Sequence, residues 1–195
     1  MRLFVALDID DDIRNRIARF LEGVRGFAPE ARWVRAESLH VTLKFIGEKA
    51  GDDVEKIKRA LETIAVDAFE ISFHGHGFFP NTRAPRVFWV GVEAGPKLAS
   101  LAATVDERLA SLDIPKEEHA FNAHLTLARG SSGSSAPRKG KVHGGNRGFH
   151  HLHEKLALLP APEFGTMTAR EFFLYQSQLS PRGSKYTKLA GFALR

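Results

Sequence analysis

Apolar positions along the chain follow two periods. Arg2 to Ile9 is rich in β-forming residues and predicts a first strand. After Asp10, expected to cap a helix, Ile13, Ile17, Phe20, Leu21 and Val24 recur at helical spacing until Gly26 and Pro29 end the run. A second helix fits Asp53 to Val66, behind the acidic start Asp52-Asp53, and a third fits Pro96 to Leu112. Between them, Phe69 to Phe73 alternates strictly and Arg86 to Val92 is almost continuously apolar. Joined by the turn Pro80 to Pro85, these two runs predict a hairpin. A short helix near His151 to Leu159 and late strands around Arg170 to Leu179 and Lys185 to Ala193 complete the reading. Strands and helices in this order predict an α+β fold with antiparallel or mixed sheets. No phosphate-binding glycine fingerprint interrupts it.

At 195 residues, 43% hydrophobic and 26% charged, the chain has the size and balance of one compact unit rather than two domains or a disordered chain. No apolar run approaches a membrane span, and the N-terminus meets Asp8 after five apolar positions. The expectation is a cytoplasmic protein with no membrane partner, monomeric by default. With no cysteine, disulfides, thiolate zinc sites and cysteine nucleophiles are excluded together. The net charge of +5 is local. Arg129, Arg138, Lys139, Lys141 and Arg147 lie between Arg129 and His153 with no acid among them, while the remaining basic residues balance all 23 acidic ones. Residues 130–150 open with a Gly/Ser run and are expected to form a flexible basic loop that attracts a polyanion.

Two strands repeat one motif. In Leu39-His40-Val41-Thr42-Leu43-Lys44-Phe45, a period of two puts His40 and Thr42 on the face opposite the core. In Ala123-His124-Leu125-Thr126-Leu127-Ala128-Arg129 it does the same for His124 and Thr126. A shuffle of this composition holds about 0.04 His-x-Thr-Leu tetrads, and this chain holds two, 84 residues apart. A complete core face gives no packing reason to repeat His and Thr on the other face, so the pattern points to a duplication in which each lobe offers one imidazole and one hydroxyl. That set suits in-line displacement at a phosphodiester. One neutral His takes a proton from the nucleophile while the other, as imidazolium, protonates the leaving oxygen. The residues alone do not order the two roles. Arg129, at an odd position, reaches the site only if its strand ends or twists there.

These residues resemble the 2H phosphoesterase superfamily, named for two His-x-Thr-x motifs, and within it the RNA 2′,3′-cyclic phosphodiesterases, historically called 2′-5′ RNA ligases. Arg2 to Leu7, Arg32-Trp33-Val34, His40 to Gly47, Phe79-Pro80 to Trp89, His124 to Arg129 and Ser177-Gln178-Leu179 with Gly183 and Tyr186 carry the resemblance along nearly the whole chain. It implies a bilobal, pseudo-two-fold α+β domain with a central groove and helices outside. The implied reaction is metal-independent and cofactor-free hydrolysis of RNA 2′,3′-cyclic phosphate ends to 2′-phosphomonoesters, with weak reverse ligation chemically allowed. His40 would be the proton donor and His124 the acceptor, Thr42 and Thr126 would hold the phosphate, and Arg129 would offset its charge.

Other readings compete. Related enzymes act on small cyclic nucleotides or ADP-ribose cyclic phosphate. The basic segment would also suit a non-catalytic RNA-binding module, although Phe149 is its only aromatic. His74-Gly75-His76, with both imidazoles on one strand face, and the cluster His150-His151-Leu152-His153 would suit a metal, but neither has a defined carboxylate partner.

Overall fold

The computed structural model describes residues 1–130, 147–180 and 183–195. In chain order the elements are β1 (Arg2–Asp8), α1 (Asp11–Val24), β2 (Arg32–Trp33), β3 (His40–Glu48), α2 (Gly51–Glu62), β4 (Phe69–Phe79), β5 (Val87–Glu93), α3 (Gly95–Ala110), β6 (His124–Arg129), α4 (Arg147–Leu156), β7 (Glu163–Ala169), β8 (Glu171–Ser180) and β9 (Gly183–Ala193). The strands form a four-stranded sheet, β3-β1-β8-β9, and a five-stranded sheet, β2-β6-β5-β4-β7. Every pairing is antiparallel.

Helices α2 and α3 back the four-stranded sheet, with α3 on β3 and α2 on β9, while α1 packs on β7 of the other sheet. On α1 the apolar stripe Ile13, Ile17, Leu21 and Val24 is buried, as its spacing requires. Asp10 occupies the N-cap position but makes no side-chain capping bond. Leu3, Val5 and Leu7 of β1 join Val41, Leu43, Phe73, Phe88, Val90, Leu125 and Leu127 in the main core. The other face of β1 and β8 holds a second, small cluster of Phe4, Ala6, Phe173 and Tyr175, with Tyr186 packed against it. Strands β3 and β6 contact each other, so the sheets meet along the two motif strands.

Three local features depart from the expected elements. Strand β7 is an addition to them. It precedes the expected late strand, which is β8, and the chain passes between them from one sheet to the other at Arg170 alone. Helix α4 starts at Arg147 rather than near His151, because Phe149 is fully buried against Phe78 and Phe88. Burial of such a ring contributes about 1.5–3 kcal/mol. Gly148 lets the helix approach so closely that a Cβ there would meet the Glu30 carboxylate. Residues 131–146, most of the expected basic loop, lie outside the described residues. The third feature is Gly75, at φ +66°, where the pairing of β4 with β5 skips a residue between His74 and His76. This bulge reverses the alternation, so the two histidines do not share a face. His74 bonds the Glu93 carboxylate at 2.9 Å, and His76 packs against Phe78 and Phe88. Among the described residues no group of three or more His, Asp or Glu gathers as a metal site.

Candidate active site

The two motif strands share one burial pattern. His40 and His124 are half-buried, Val41 and Leu125 buried, Thr42 and Thr126 half-buried, then Leu43-Lys44 and Leu127-Ala128 buried, then Phe45 and Arg129 exposed. The two consecutive buried positions mark a bulge. Opposite β1 the register passes from Thr42 to Lys44, skipping Leu43. Opposite β5 it passes from Thr126 to Ala128, skipping Leu127. One extra residue inverts the alternation beyond it, which brings Arg129 onto the face of His124 and Thr126 and places Phe45 at the same offset from His40.

Each imidazole is held in the same way. His40 Nδ1 lies 2.7 Å from the Ser38 carbonyl oxygen and His124 Nδ1 lies 2.8 Å from that of Asn122. A carbonyl can only accept, so Nδ1 carries the proton in both rings and Nε2 is the nitrogen free for chemistry. A phenyl ring flanks each imidazole at 4.9 Å, Phe4 beside His40 and Phe79 beside His124. Tyr186 meets His40 edge-on at 5.1 Å. Burial is the main force that lowers the pKa of both histidines below the ordinary imidazole value. The Arg129 guanidinium pushes each in the same direction. The structure thus puts His40 and Thr42 on one face of β3, and His124, Thr126 and Arg129 on one face of β6, on two strands that contact each other.

Several residues beside His40 were given no role from the sequence. A cavity of about 630 Å³ opens beside His40, lined by Asp8, Tyr175, Lys185, Tyr186 and Lys188 among others. Burial raises the Tyr175 phenol far above its ordinary pKa, so it stays a neutral hydroxyl. Asp8 accepts bonds from the Ile9 N–H at 2.9 Å, Arg14 at 2.6 Å and Lys188 at 2.6 Å. Burial opposes its ionisation, yet these bonds outweigh burial and hold the carboxyl below the ordinary carboxylate range. Lys188 is further held over the Phe173 ring at 3.9 Å. Cross-strand register brings these residues together, and nothing in local sequence order signals it.

The LigT like Phosphoesterase family profile matches residues 7–89 of this chain. Over 192 residues the chain is 36% identical to an RNA 2′,3′-cyclic phosphodiesterase of Archaeoglobus fulgidus, an alignment spanning 98% of this chain and 99% of the relative. The chain belongs to the LigT-like phosphoesterase family. A Methanothermobacter thermautotrophicus member of this family, also an RNA 2′,3′-cyclic phosphodiesterase, is 30% identical across 100% of this chain and 99% of its own. Among solved structures, one from Thermus thermophilus superposes with a TM-score of 0.77 at 29% identity, covering 100% of this chain and 98% of that one. Escherichia coli LigT complexed with 3′-AMP gives 0.75 at 26% identity, covering 99% and 97%. The bilobal α+β fold with two antiparallel sheets is therefore that of the LigT-like phosphoesterases. No described helix is long and apolar enough to cross a membrane.

Proposed function

We propose that the chain hydrolyses terminal 2′,3′-cyclic phosphates of RNA to 2′-phosphomonoesters by acid–base catalysis between His40 and His124, without a metal. The observation that carries this reading is the matched pair of imidazoles on two contacting strands, each with Nδ1 tied to a carbonyl and Nε2 open, with Arg129 on the face of His124. His124 Nε2 takes a proton from water as its oxygen attacks phosphorus. The P–O3′ bond breaks on the opposite side, and the departing 3′ oxygen takes the proton of the His40 imidazolium. Thr42 and Thr126 donate hydroxyl hydrogen bonds to the non-bridging oxygens, and Arg129 offsets the charge that grows on them. With a 5′-hydroxyl in place of water, the same two transfers in the same direction join the cyclic end to it through a 2′-5′ bond as the P–O3′ bond breaks, so slow 2′-5′ ligation is part of this chemistry.

In-line geometry places the ribose on the leaving-group side, where the cavity beside His40 has room for a nucleoside. The name shared by the relatives supports RNA as the substrate class. The test is incubation with an oligonucleotide ending in a 2′,3′-cyclic phosphate, with EDTA present, and identification of the monoester. A 2′-phosphate is expected. A 3′-phosphate, no product, or a rate abolished by EDTA would contradict the reading, and a faster reaction on cyclic mononucleotides than on RNA would redirect it to small substrates.

A further inference from the structure

The duplicated lobes allow a position-by-position comparison of what faces each imidazole. In the first lobe Thr42 pairs with Ala6 and His40 pairs with Asp8 across β1 and β3. In the second, Thr126 pairs with Trp89 and His124 pairs with Gly91 across β5 and β6. Gly91 thus stands where Asp8 stands in the other half, and it cannot take a side chain, because a Cβ there would run into the His74 carbonyl oxygen. The scaffold that aims the histidines is repeated. The anion opposite them is not.

We propose that Asp8 is the positioning residue that gives the two imidazoles different jobs, presenting to His40 a carboxylate that has no counterpart at His124. The donor and acceptor roles in this inference rest on the function proposed above. The Asp8 carboxylate is pinned by Ile9 N–H, Arg14 and Lys188 and opens into the same cavity as His40. It stays ionised throughout the range in which imidazoles titrate.

The other charged and titratable groups around His40 do not supply the same effect. Arg14 from α1 and Arg129 from β6 oppose a charge on the ring. Glu37 lines the cavity as well, but its side chain is 71% exposed and sits 4.0 Å from Arg35. Lys185 and Lys188 are cationic side chains, and burial holds Tyr175 as a neutral phenol. The carbonyl bonds from Ser38 and Asn122 are equivalent and do not distinguish the rings. Burial and Arg129 therefore drive both imidazoles towards neutrality, and Asp8 favours the imidazolium at His40 alone. Because Asp8 acts on one ring only, it draws a single proton on the pair towards His40 and leaves the neutral His124 to accept one from water.

The experiment is NMR titration of the histidine Cε1–H signals in the wild type, Asp8→Asn and Lys188→Met, with kcat/KM measured against pH on the same samples. In Asp8→Asn the His40 midpoint should fall by about half a pH unit or more, as expected for loss of a nearby opposite charge, with His124 in place. The basic limb of the rate profile, which reports the proton donor, should move to lower pH and the acidic limb should stay. Lys188→Met removes a cation paired with Asp8 and should move the His40 midpoint upwards, a direction that general structural damage does not produce. It also carries the test if Asp8→Asn does not fold. An unmoved His40 midpoint in a folded variant, or equal movement of both histidines, would overturn the proposal. A wild-type protein inert towards cyclic phosphate ends contradicts the proposed function, whereas an unmoved His40 in an active protein contradicts the assignment to Asp8.

Discussion

Strands β3 and β6 share alternation, bulge and carbonyl-bound imidazoles, yet they differ at the residues around those features. Lys44 is buried on the core side of β3, with its ammonium 2.5 Å from Asp106 and 2.6 Å from the Pro115 carbonyl oxygen, where β6 has Ala128. Beyond the bulge, β3 presents Phe45, 62% exposed, and β6 presents Arg129. Duplication thus preserves what aims a His and a Thr at one point, namely pleat, bulge and backbone acceptor. Divergence falls on the side chains that set charge and apolar surface, which is where a proton donor must differ from a proton acceptor.

The largest expected effect tests the part that is repeated. His40→Ala and His124→Ala should each lower turnover on a cyclic phosphate end by about two to four orders of magnitude. The double variant should be little slower than either single, because the two act in one step. Next comes a stability difference between the lobes. Lys44→Ala strands the Asp106 carboxylate, 20% exposed, and should lower unfolding free energy in urea by about 3 kcal/mol, while the activity of the folded fraction is kept. Breaking the Arg129 and Phe45 comparison gives smaller, separable losses. Arg129→Ala should cut kcat/KM about 10- to 100-fold through lost charged hydrogen bonds to phosphate, and Phe45→Ala should raise KM by about tenfold with kcat kept, through lost contact with a base.

The smallest effect is in pH dependence. Burial lowers the pKa of both imidazoles in the free protein, so each charges only at a lower pH than an ordinary histidine. The acceptor is then already neutral near pH 6.5, and the donor loses its proton earlier as pH rises. The profile of kcat/KM should be a bell with its optimum at or below about pH 6.5. An optimum well above that value would mean that the lowering by burial does not govern the working pair.

Much of this architecture was legible because short-range patterning suffices for it. The period-two alternation of Leu39 to Leu43 and Ala123 to Leu127 puts His40, Thr42, His124 and Thr126 on the face opposite the buried one, as their burial pattern does, and the 3.6-residue stripe of α1 buries the residues it marks. The failures trace to single residues that break a period. An ideal strand turns Arg129 away from the site, and the Leu127 bulge turns it back. The Gly75 bulge separates His74 from His76, and an isolated Gly within a strand pattern is the local signal that could have warned of it. Strand β7, Glu163–Ala169, went unread before the expected strand, and the chain changes sheets at Arg170. Asp8 is the clearest case of information absent from local order. It lies 32 positions before His40 and meets it only through the antiparallel register of β1 and β3.

On the proposed mechanism the two lobes act from opposite sides of one phosphorus in a single displacement. Opening a terminal 2′,3′-cyclic phosphorothioate of known configuration in oxygen-18 water reports this directly, because one in-line attack inverts the configuration at phosphorus. Inversion is the predicted result. Retention, which requires two successive displacements through a covalent phosphohistidine, would rule out a single displacement shared by His40 and His124.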